Sequence, residues 1–136
     1  MVFDSGHRVA QLRLIFRPIP SSQSPLPPPD ADVFLSYVQR FDIIPQPNPV
    51  LPTSSNQKGP YPNPSTGMYL LKRARRSAGE IMGDVVPLSQ LRTLINLVPR
   101  FGPVADSRLT METSLEWSSE YWLNKYFDKE LFYALK

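Results

Sequence analysis

The sequence predicts a mainly β fold with α-helix at the C-terminus: a small bent antiparallel sheet or partly open barrel that carries a long proline-rich insertion. Two observations lead to this fold class. About five short segments alternate apolar and polar residues or are rich in β-branched and aromatic residues, and glycine or proline separates them. Thirteen of the 16 prolines lie between Pro18 and Pro64, so the proline excess is local. The length of 136 residues predicts a single small domain spanning 1–136.

The first third of the chain contains two predicted strands. Residues 8–18 place Leu12, Leu14 and Phe16 on one face and mostly polar residues on the other, which is the pattern of a half-buried strand. Residues 32–44 are rich in β-branched and aromatic side chains without a helical period. We therefore expect a second, longer strand there, packed on both faces for part of its length.

Two segments are dominated by proline and are predicted to be irregular. Residues 20–30 form a proline and serine connector that favours extended geometry. Residues 45–66 contain seven prolines, and proline donates no backbone hydrogen bond. We expect no strand ladder through this second segment, which is predicted to be a long insertion between two strands.

The middle of the chain predicts a hairpin followed by one more strand. Residues 67–75 and 80–86 have strand composition, and Gly79 is expected at the tip of the turn that joins them. The segment from Pro87 to Leu91 suits a short helical turn, because proline is favoured at the first helical position. Residues 91–99 are then expected to return to extended structure.

The last third allows two interpretations. One is a single helix over 114–133. The other ends a short helix near Ser119, makes 120–127 a strand, and starts a second helix with Asp128 as its N-cap. The density of aromatic residues in 120–127 favours the second interpretation. In either case, the spacing of Thr113 and Glu116 is that of a capping box at the helix start.

The apolar positions of these segments predict the hydrophobic core. We expect it to include large side chains from every predicted strand, since a small chain needs large apolar residues to be stable. The predicted core residues are Leu12, Leu14, Phe16, Leu35, Tyr37, Phe41, Leu70, Val85, Leu94, Leu97, Trp122 and Phe127.

Composition restricts the chemistry that the chain can perform. It has no cysteine and one histidine, His7, which argues against disulfides, thiol nucleophiles and multi-histidine metal sites. No 18-residue apolar run is present, and the N-terminus does not resemble a signal peptide. We expect an intracellular protein that is not an enzyme, binds no cofactor or metal and has no membrane partner.

The acidic residues are the remaining candidates for metal-dependent chemistry. A two-metal site needs clustered carboxylates, and nothing in the spacing of the acidic residues marks one. They are expected to be solvated or capping residues, with a metal-binding role as the alternative. The residues concerned are Asp42, Asp84, Asp106, Glu112, Glu116 and Glu120.

The densest charge feature is the run from Lys72 to Arg76. On a strand, Arg73 and Arg75 would share one face, while Lys72 and Arg76 would share the other. A basic hairpin of this kind suits contacts with nucleic-acid phosphates. The alternative is an edge strand that is charged only to prevent pairing with other edges. Lys72, Arg73, Arg75 and Arg76 are therefore the candidate nucleic-acid-binding residues, with weak, non-specific DNA binding as the expectation.

Three stretches, taken in order, resemble the C-terminal region of fungal transposases of the Plavaka type, in the Kyakuja–Dileera–Zisupton group. The first is YVQRFDIIPQ (37–46), followed after a proline-rich gap by GMYLLKRA (67–74). The second is GEIMGDVVPLSQLRTLINLVPRFG (79–102), and the third is ADSRLTMETSLEWSSEYWLNKYFDKELFYAL (105–135). The resemblance spans residues 11–135, and its specificity lies in the combination of stretches.

This resemblance implies that the chain corresponds to the tail of a much longer, transposon-encoded protein. The catalytic domain of such transposases is expected upstream, so no catalytic residue is carried over to this chain. The implied role is a non-catalytic accessory domain that acts in the nucleus, with DNA, other transposase segments or chromatin proteins as partners. The strand-turn-strand of residues 85–92 also resembles small barrels of the bromo-adjacent homology type.

Other roles remain open at this point. A protein-interaction module could use the proline-rich insertion as an extended ligand. A decayed transposon fragment would have no present function. The sequence leaves the oligomeric state undetermined.

Overall fold

The fold class is confirmed in a computed structural model of the chain, which describes residues 2–3, 8–19, 34–48 and 57–134. The protein is mainly β, its strand pairs are antiparallel, and short helices lie toward the C-terminus. The predicted connector 20–30, the centre of the insertion and His7 fall outside the described residues.

Most of the predicted strands form close to their predicted bounds. The described strands are β1 (Val2–Phe3), β2 (Arg8–Phe16), β3 (Leu35–Ile43), β4 (Gln46–Pro47), β5 (Lys58–Gly59), β6 (Tyr69–Arg73), β7 (Gly83–Pro87), β8 (Leu91–Thr93), β9 (Leu97–Pro99) and β10 (Glu120–Leu123). The helices are α1 (Ser114–Trp117), α2 (Lys129–Ala134) and the predicted short turn of 3₁₀ helix, Leu88–Gln90. Neither α-helix has the length or hydrophobicity that a membrane span requires.

The chain divides into two compact units. Unit 1 consists of Met1–Arg40 and Ala74–Leu94, and unit 2 consists of Phe41–Arg73 and Ile95–Lys136. Strand β3 contributes its first six residues to unit 1 and its last three to unit 2. The expectation of a single domain over 1–136 stays a prediction.

Unit 1 is built from β1, β2, the first part of β3, β7 and β8. Strand β1 pairs with β2 and β8, and residues Leu35–Gln39 of β3 pair with β7. Ala10 and Val38 are fully buried, and Leu12, Val86 and Leu91 pack against them. The small core is extended by a polar residue, because Ser36 is buried and donates a hydrogen bond to the carbonyl of Val86 at 3.0 Å.

Unit 2 is organised around β10, which pairs with β6 on one side and with β9 on the other. The last residues of β3 pair with β6, from Phe41 opposite Arg73 to Ile43 opposite Leu71. Among the described residues of this unit, the buried ones are Phe41, Leu70, Leu71, Arg73, Tyr121 and Leu123.

Residues 45–66 contain a short ladder, so the prediction of a fully irregular insertion is wrong for its described part. Gln46 and Pro47 pair with Gly59 and Lys58. The amide of Asn48 donates to the carbonyl of Gln57 at 3.1 Å. Because hydrogen-bonding amides alternate along an antiparallel strand, the nitrogen of Pro47 faces away from β5 and its missing hydrogen is not needed.

The last third follows the second interpretation of the sequence. A one-turn helix is followed by strand β10, and α2 begins directly after Asp128. The predicted capping box is wrong, because the Thr113 side chain makes no cap hydrogen bond. Its hydroxyl donates instead to the carbonyl of Arg108 at 3.0 Å and accepts from the amide of Thr110 at 2.9 Å.

The predicted strand over 91–99 is two strands. Leu91–Thr93 pair with β1 in unit 1, whereas Leu97–Pro99 pair with β10 in unit 2. Asn96 between them accepts a hydrogen bond from the amide of Asn124 at 3.0 Å. The segment therefore changes partners in the middle, which a continuous apolar pattern cannot reveal.

The predicted core is correct for some positions and wrong for others. Phe41 and Leu70 are buried, while the other correctly placed residues are half-buried. Four predicted core residues are more than half exposed: Leu14, Val85, Leu94 and Phe127.

Gly83 of unit 1 provides a test of the packing between β3 and β7. A Cβ atom added at Gly83 would overlap the ring and hydroxyl of Tyr37, which stands diagonally across the strand pair. We expect Gly83→Ala to lower the free energy of unfolding by about 1–3 kcal/mol in urea denaturation, because the ring must move. Gly102→Ala is the control, since nothing lies within 4 Å of its added Cβ.

A double variant tests whether overlap with the Tyr37 ring causes the loss of stability in Gly83→Ala. Combining Gly83→Ala with Tyr37→Ala should make the glycine substitution far less costly, because the ring is then absent. Equal costs of Gly83→Ala in both backgrounds would contradict the proposed overlap.

Candidate nucleic-acid interface

The basic run ends in a tight hairpin that belongs entirely to unit 1. Arg75 and Ile81 form an isolated antiparallel bridge, and the amide of Arg76 donates to the carbonyl of Glu80 at 2.8 Å. The amide of Gly79 donates to the carbonyl of Arg76 at 2.8 Å, and Gly79 has φ of 89°. This is a three-residue loop in which the last residue needs a positive φ, so the predicted place of Gly79 at the tip is confirmed.

The two arginines of this hairpin are both exposed to solvent. Nη1 of Arg75 donates to the carbonyl of Gly79 at 2.7 Å, which holds its guanidinium beside the loop. No described residue forms an ion pair with Arg76. Successive side chains point to opposite faces of a strand, so one guanidinium is presented on each side of the hairpin. We define Arg75–Ile81 as the arginine hairpin.

Lys72 is exposed, but it lies within a row of alternating charges in unit 2. Its register partner on β3 is Asp42, and its register partner on β10 is Glu120. Glu120 in turn accepts a hydrogen bond from Nη1 of Arg100 at 2.7 Å. Side chains directly opposite each other on antiparallel strands share one face, so Lys72 lies on the same face as Asp42 and Glu120.

Arg73, the second of the four candidate nucleic-acid-binding residues, is buried, with 7% of its surface exposed. Its guanidinium lies over the ring of Phe41, 5.2 Å from the centroid, and donates to the carbonyl of Leu115. A phosphate could reach this group only if the protein opened. The position is structural.

Tyr121 completes this buried arrangement. It is 0% exposed and packs edge-to-face on Phe41, with ring centroids 5.4 Å apart. Its hydroxyl donates toward the carbonyl of Ser118 at 2.7 Å and is 2.9 Å from that of Leu115. Burial raises the pKa of the Tyr121 phenol, so the group stays protonated and remains a donor.

The partners of Tyr121 and Arg73 explain how α1 is held. A helix of one turn leaves its last carbonyls without partners and is not stable by itself. Tyr121 and Arg73 supply donors to those carbonyls. Sequence reasoning had placed neither residue in this role, although the pairing of one buried arginine with an aromatic strand is a recurrent structural feature.

Two of the acidic candidates form ion pairs with arginines close to them. Asp84 forms an ion pair with Nε of Arg40 at 2.8 Å, and Asp106 is held by Nη2 of Arg108 at 2.7 Å. The hydrogen bonds from Arg108 lower the pKa of the Asp106 carboxyl to about 2. Among the described residues, no three acidic or histidine side chains lie close enough together to hold a metal ion.

The three glutamates among the acidic candidates lie in different parts of the fold. Glu112 precedes α1, Glu116 lies in it, and Glu120 opens β10. The hydroxyl of Thr110 donates to Glu112 at 2.8 Å and lowers the pKa of its carboxyl.

Positive charge is concentrated in the described part of unit 1. Seven arginines stand there against two acidic residues, Glu80 and Asp84. Over its full sequence range, including segments outside the described residues, the unit has seven arginines and five acidic residues. The arginines are Arg8, Arg13, Arg17, Arg40, Arg75, Arg76 and Arg92.

Comparison with known proteins gives a match over part of the chain. The profile of a domain of unknown function, DUF6830, matches residues 4–59, which are 56 of the 136 residues. The matched range covers β2, β3 and the short β4–β5 ladder, and the chain is similar to that family there. The arginine hairpin, α1 and β10 lie beyond it. No curated protein and no solved structure matches.

Proposed function

We propose that this chain is a non-catalytic, transposon-derived accessory domain that contacts DNA phosphates weakly and without sequence preference through the arginine hairpin. The observation that carries the proposal is the exposure of Arg75 and Arg76 on a hairpin in an arginine-rich unit. Guanidinium groups in this setting can donate to phosphate oxygens. The proposal includes a nuclear location and the kinship with Plavaka-type transposase tails that the sequence motifs suggest.

The geometry supports a smaller contact than the sequence suggested. Four phosphate contacts would give a log–log salt slope of about −3.6, since each contributes about −0.9. Lys72 has acidic register partners on both neighbouring strands and Arg73 is buried, so Arg75 and Arg76 are the contacts we propose. Two contacts give a slope of about −1.8 and an affinity on the order of 10⁻⁴ M or weaker at physiological salt.

A non-catalytic role is supported by the surroundings of the carboxylates. Asp84 and Asp106 are engaged by arginines, and Asp42 faces Lys72 across the strand pair. Carboxylates held this way offer few free oxygens for the metal ions that phosphoryl chemistry needs.

The test is the salt dependence of binding to a short DNA duplex, followed by fluorescence polarisation. We expect affinity to fall about tenfold between roughly 50 and 200 mM salt for the unmodified chain. The double variant Arg75→Gln/Arg76→Gln should lose about 1.8 from the slope for every duplex sequence tested.

The matched control also removes two positive charges, but from unit 2. Arg100→Gln/Arg108→Gln changes two exposed arginines that already pair with Glu120 and Asp106. This variant should retain most of the slope. If both double variants lose the slope equally, the binding reflects net charge and the arginine hairpin is not the site.

A protein-interaction role is the second candidate, and exposed aromatic residues of unit 2 favour it. Trp117, Tyr126, Phe127 and Tyr133 are all more than half exposed. Large exposed apolar side chains are enriched at protein interfaces. Binding through such residues would be nearly insensitive to salt, which distinguishes it from phosphate contact.

A further inference from the structure

The loop of the arginine hairpin begins with a hydroxyl-bearing residue, directly after Arg75 and Arg76. Ser77 is exposed and occupies the first position of the loop, followed by the small residues Ala78 and Gly79. No hydrogen bond involving the Ser77 hydroxyl is formed with the described residues. By contrast, Ser36 and Ser118 use their hydroxyls to hold backbone carbonyls of neighbouring segments.

We propose that Ser77 is a phosphorylation site that switches off phosphate contact by the arginine hairpin. The switching part of this inference rests on the proposed function. It is carried by one juxtaposition: an exposed, uncommitted hydroxyl lies immediately after the two arginines that would contact DNA.

The flanking charges define the class of enzyme that would modify Ser77. Arg76 and Arg75 stand one and two positions before it, and kinases select substrates by such charge patterns. The fitting enzyme is a protein kinase whose substrate groove is acidic. Its groove requires an extended segment, and the arginine hairpin is held by few backbone hydrogen bonds, so local opening costs little.

The reaction is ordinary phosphoryl transfer from a nucleoside triphosphate. Oγ of Ser77 attacks the γ-phosphorus, the new O–P bond forms as the bond to the β–γ bridging oxygen breaks, and the nucleoside diphosphate leaves. The hydroxyl proton passes to the catalytic carboxylate of the kinase. No oxidant or reductant is needed.

The consequence for binding follows from charge. The arginine hairpin contains two arginines and Glu80, a net charge of +1. A phosphoserine adds about −1.5 to −2, so the sign of the segment reverses. The new phosphate also offers acceptor oxygens to Arg75 and Arg76, which are then engaged within the chain. We expect the phosphorylated chain to lose as much of the salt slope as Arg75→Gln/Arg76→Gln.

The first experiment locates the modification. The full chain is incubated with a kinase of basic-substrate preference and magnesium ATP, and the phosphate is mapped by mass spectrometry. We expect one phosphate on Ser77, lost in Ser77→Ala and strongly reduced in Arg75→Gln/Arg76→Gln. Ser107→Ala is the matched control, because Ser107 is also exposed but follows Asp106. Absence of phosphate from Ser77 under conditions where a peptide of residues 72–80 is modified would overturn the proposal.

The second experiment measures DNA binding of the phosphorylated chain and of Ser77→Glu, with Ser107→Glu as the control. A loss of slope confined to Ser77 modification supports the switch. Unchanged binding after phosphorylation, together with a lost slope in Arg75→Gln/Arg76→Gln, overturns the switch and leaves the proposed function standing. If the unmodified chain shows no salt-dependent binding, the proposed function fails, and the switch fails with it.

Discussion

Replacing Tyr121 with alanine is expected to lower the free energy of unfolding by about 3–5 kcal/mol, the range found when a buried aromatic side chain is removed. Tyr121 is 0% exposed and its ring packs edge-to-face on Phe41. Alanine leaves a cavity between β10 and the end of β3, and it also removes the hydroxyl that reaches Ser118. Guanidinium denaturation followed by tryptophan fluorescence measures the loss.

Two further variants separate the ring from the hydroxyl. Tyr121→Phe keeps the ring but leaves the partly buried carbonyl of Ser118 without its donor, which costs about 1–3 kcal/mol. Phe127→Ala removes an aromatic ring that is more than half exposed and should change stability by less than about 0.5 kcal/mol. A Tyr121→Ala variant as stable as Phe127→Ala would show that the buried cluster does not hold unit 2 together.

The strands could be predicted from the sequence because their signals are local. Alternation in 8–18 and β-branched composition in 32–44 predicted β2 and β3 to within a few residues. The hairpin tip at Gly79 followed from turn chemistry, and aromatic composition favoured β10 over a continuous helix. Each of these features depends on neighbours in the chain, and no distant partner is needed to recognise it.

The choice of buried face could not be predicted, because it depends on what covers each face. Alternation separates Leu12 from Gln11, yet it does not say that Leu14, two residues further along the same face, is exposed. In β3 the buried positions run Ser36 and Val38, then shift by one to Phe41. Arg40 lies at this shift. Its amide donates to Met82, and its carbonyl accepts from Ala74, the residues that flank the arginine hairpin.

The roles of the candidate site residues could not be predicted from the sequence either, because they also depend on distant partners. Four basic residues within five positions have three different environments: a charge ladder, a buried contact with α1 and an exposed hairpin. The partners that decide between them, Asp42, Leu115 and Glu120, lie about 30 or more positions away in the sequence. A run of like charges predicts a basic segment, but the contribution of each charge depends on these distant partners.

Arg73 and Arg76 therefore provide a direct comparison within one run, and we expect their substitutions to act on different properties. Arg73→Met should lower the free energy of unfolding by about 2–4 kcal/mol, because the Leu115 carbonyl loses a donor and Phe41 loses a cation. Arg76→Met should change stability by less than about 0.5 kcal/mol, since the side chain is exposed.

DNA binding should show the reverse order. Arg76→Met is expected to reduce the salt slope by about 0.9, one phosphate contact, while Arg73→Met leaves the slope unchanged under conditions where it is still folded. Because both variants lose one positive charge, net charge cannot produce such a difference. A loss of salt slope in fully folded Arg73→Met would mean that phosphate reaches the buried guanidinium. The proposed role of Arg73 in holding α1 would then have to be abandoned.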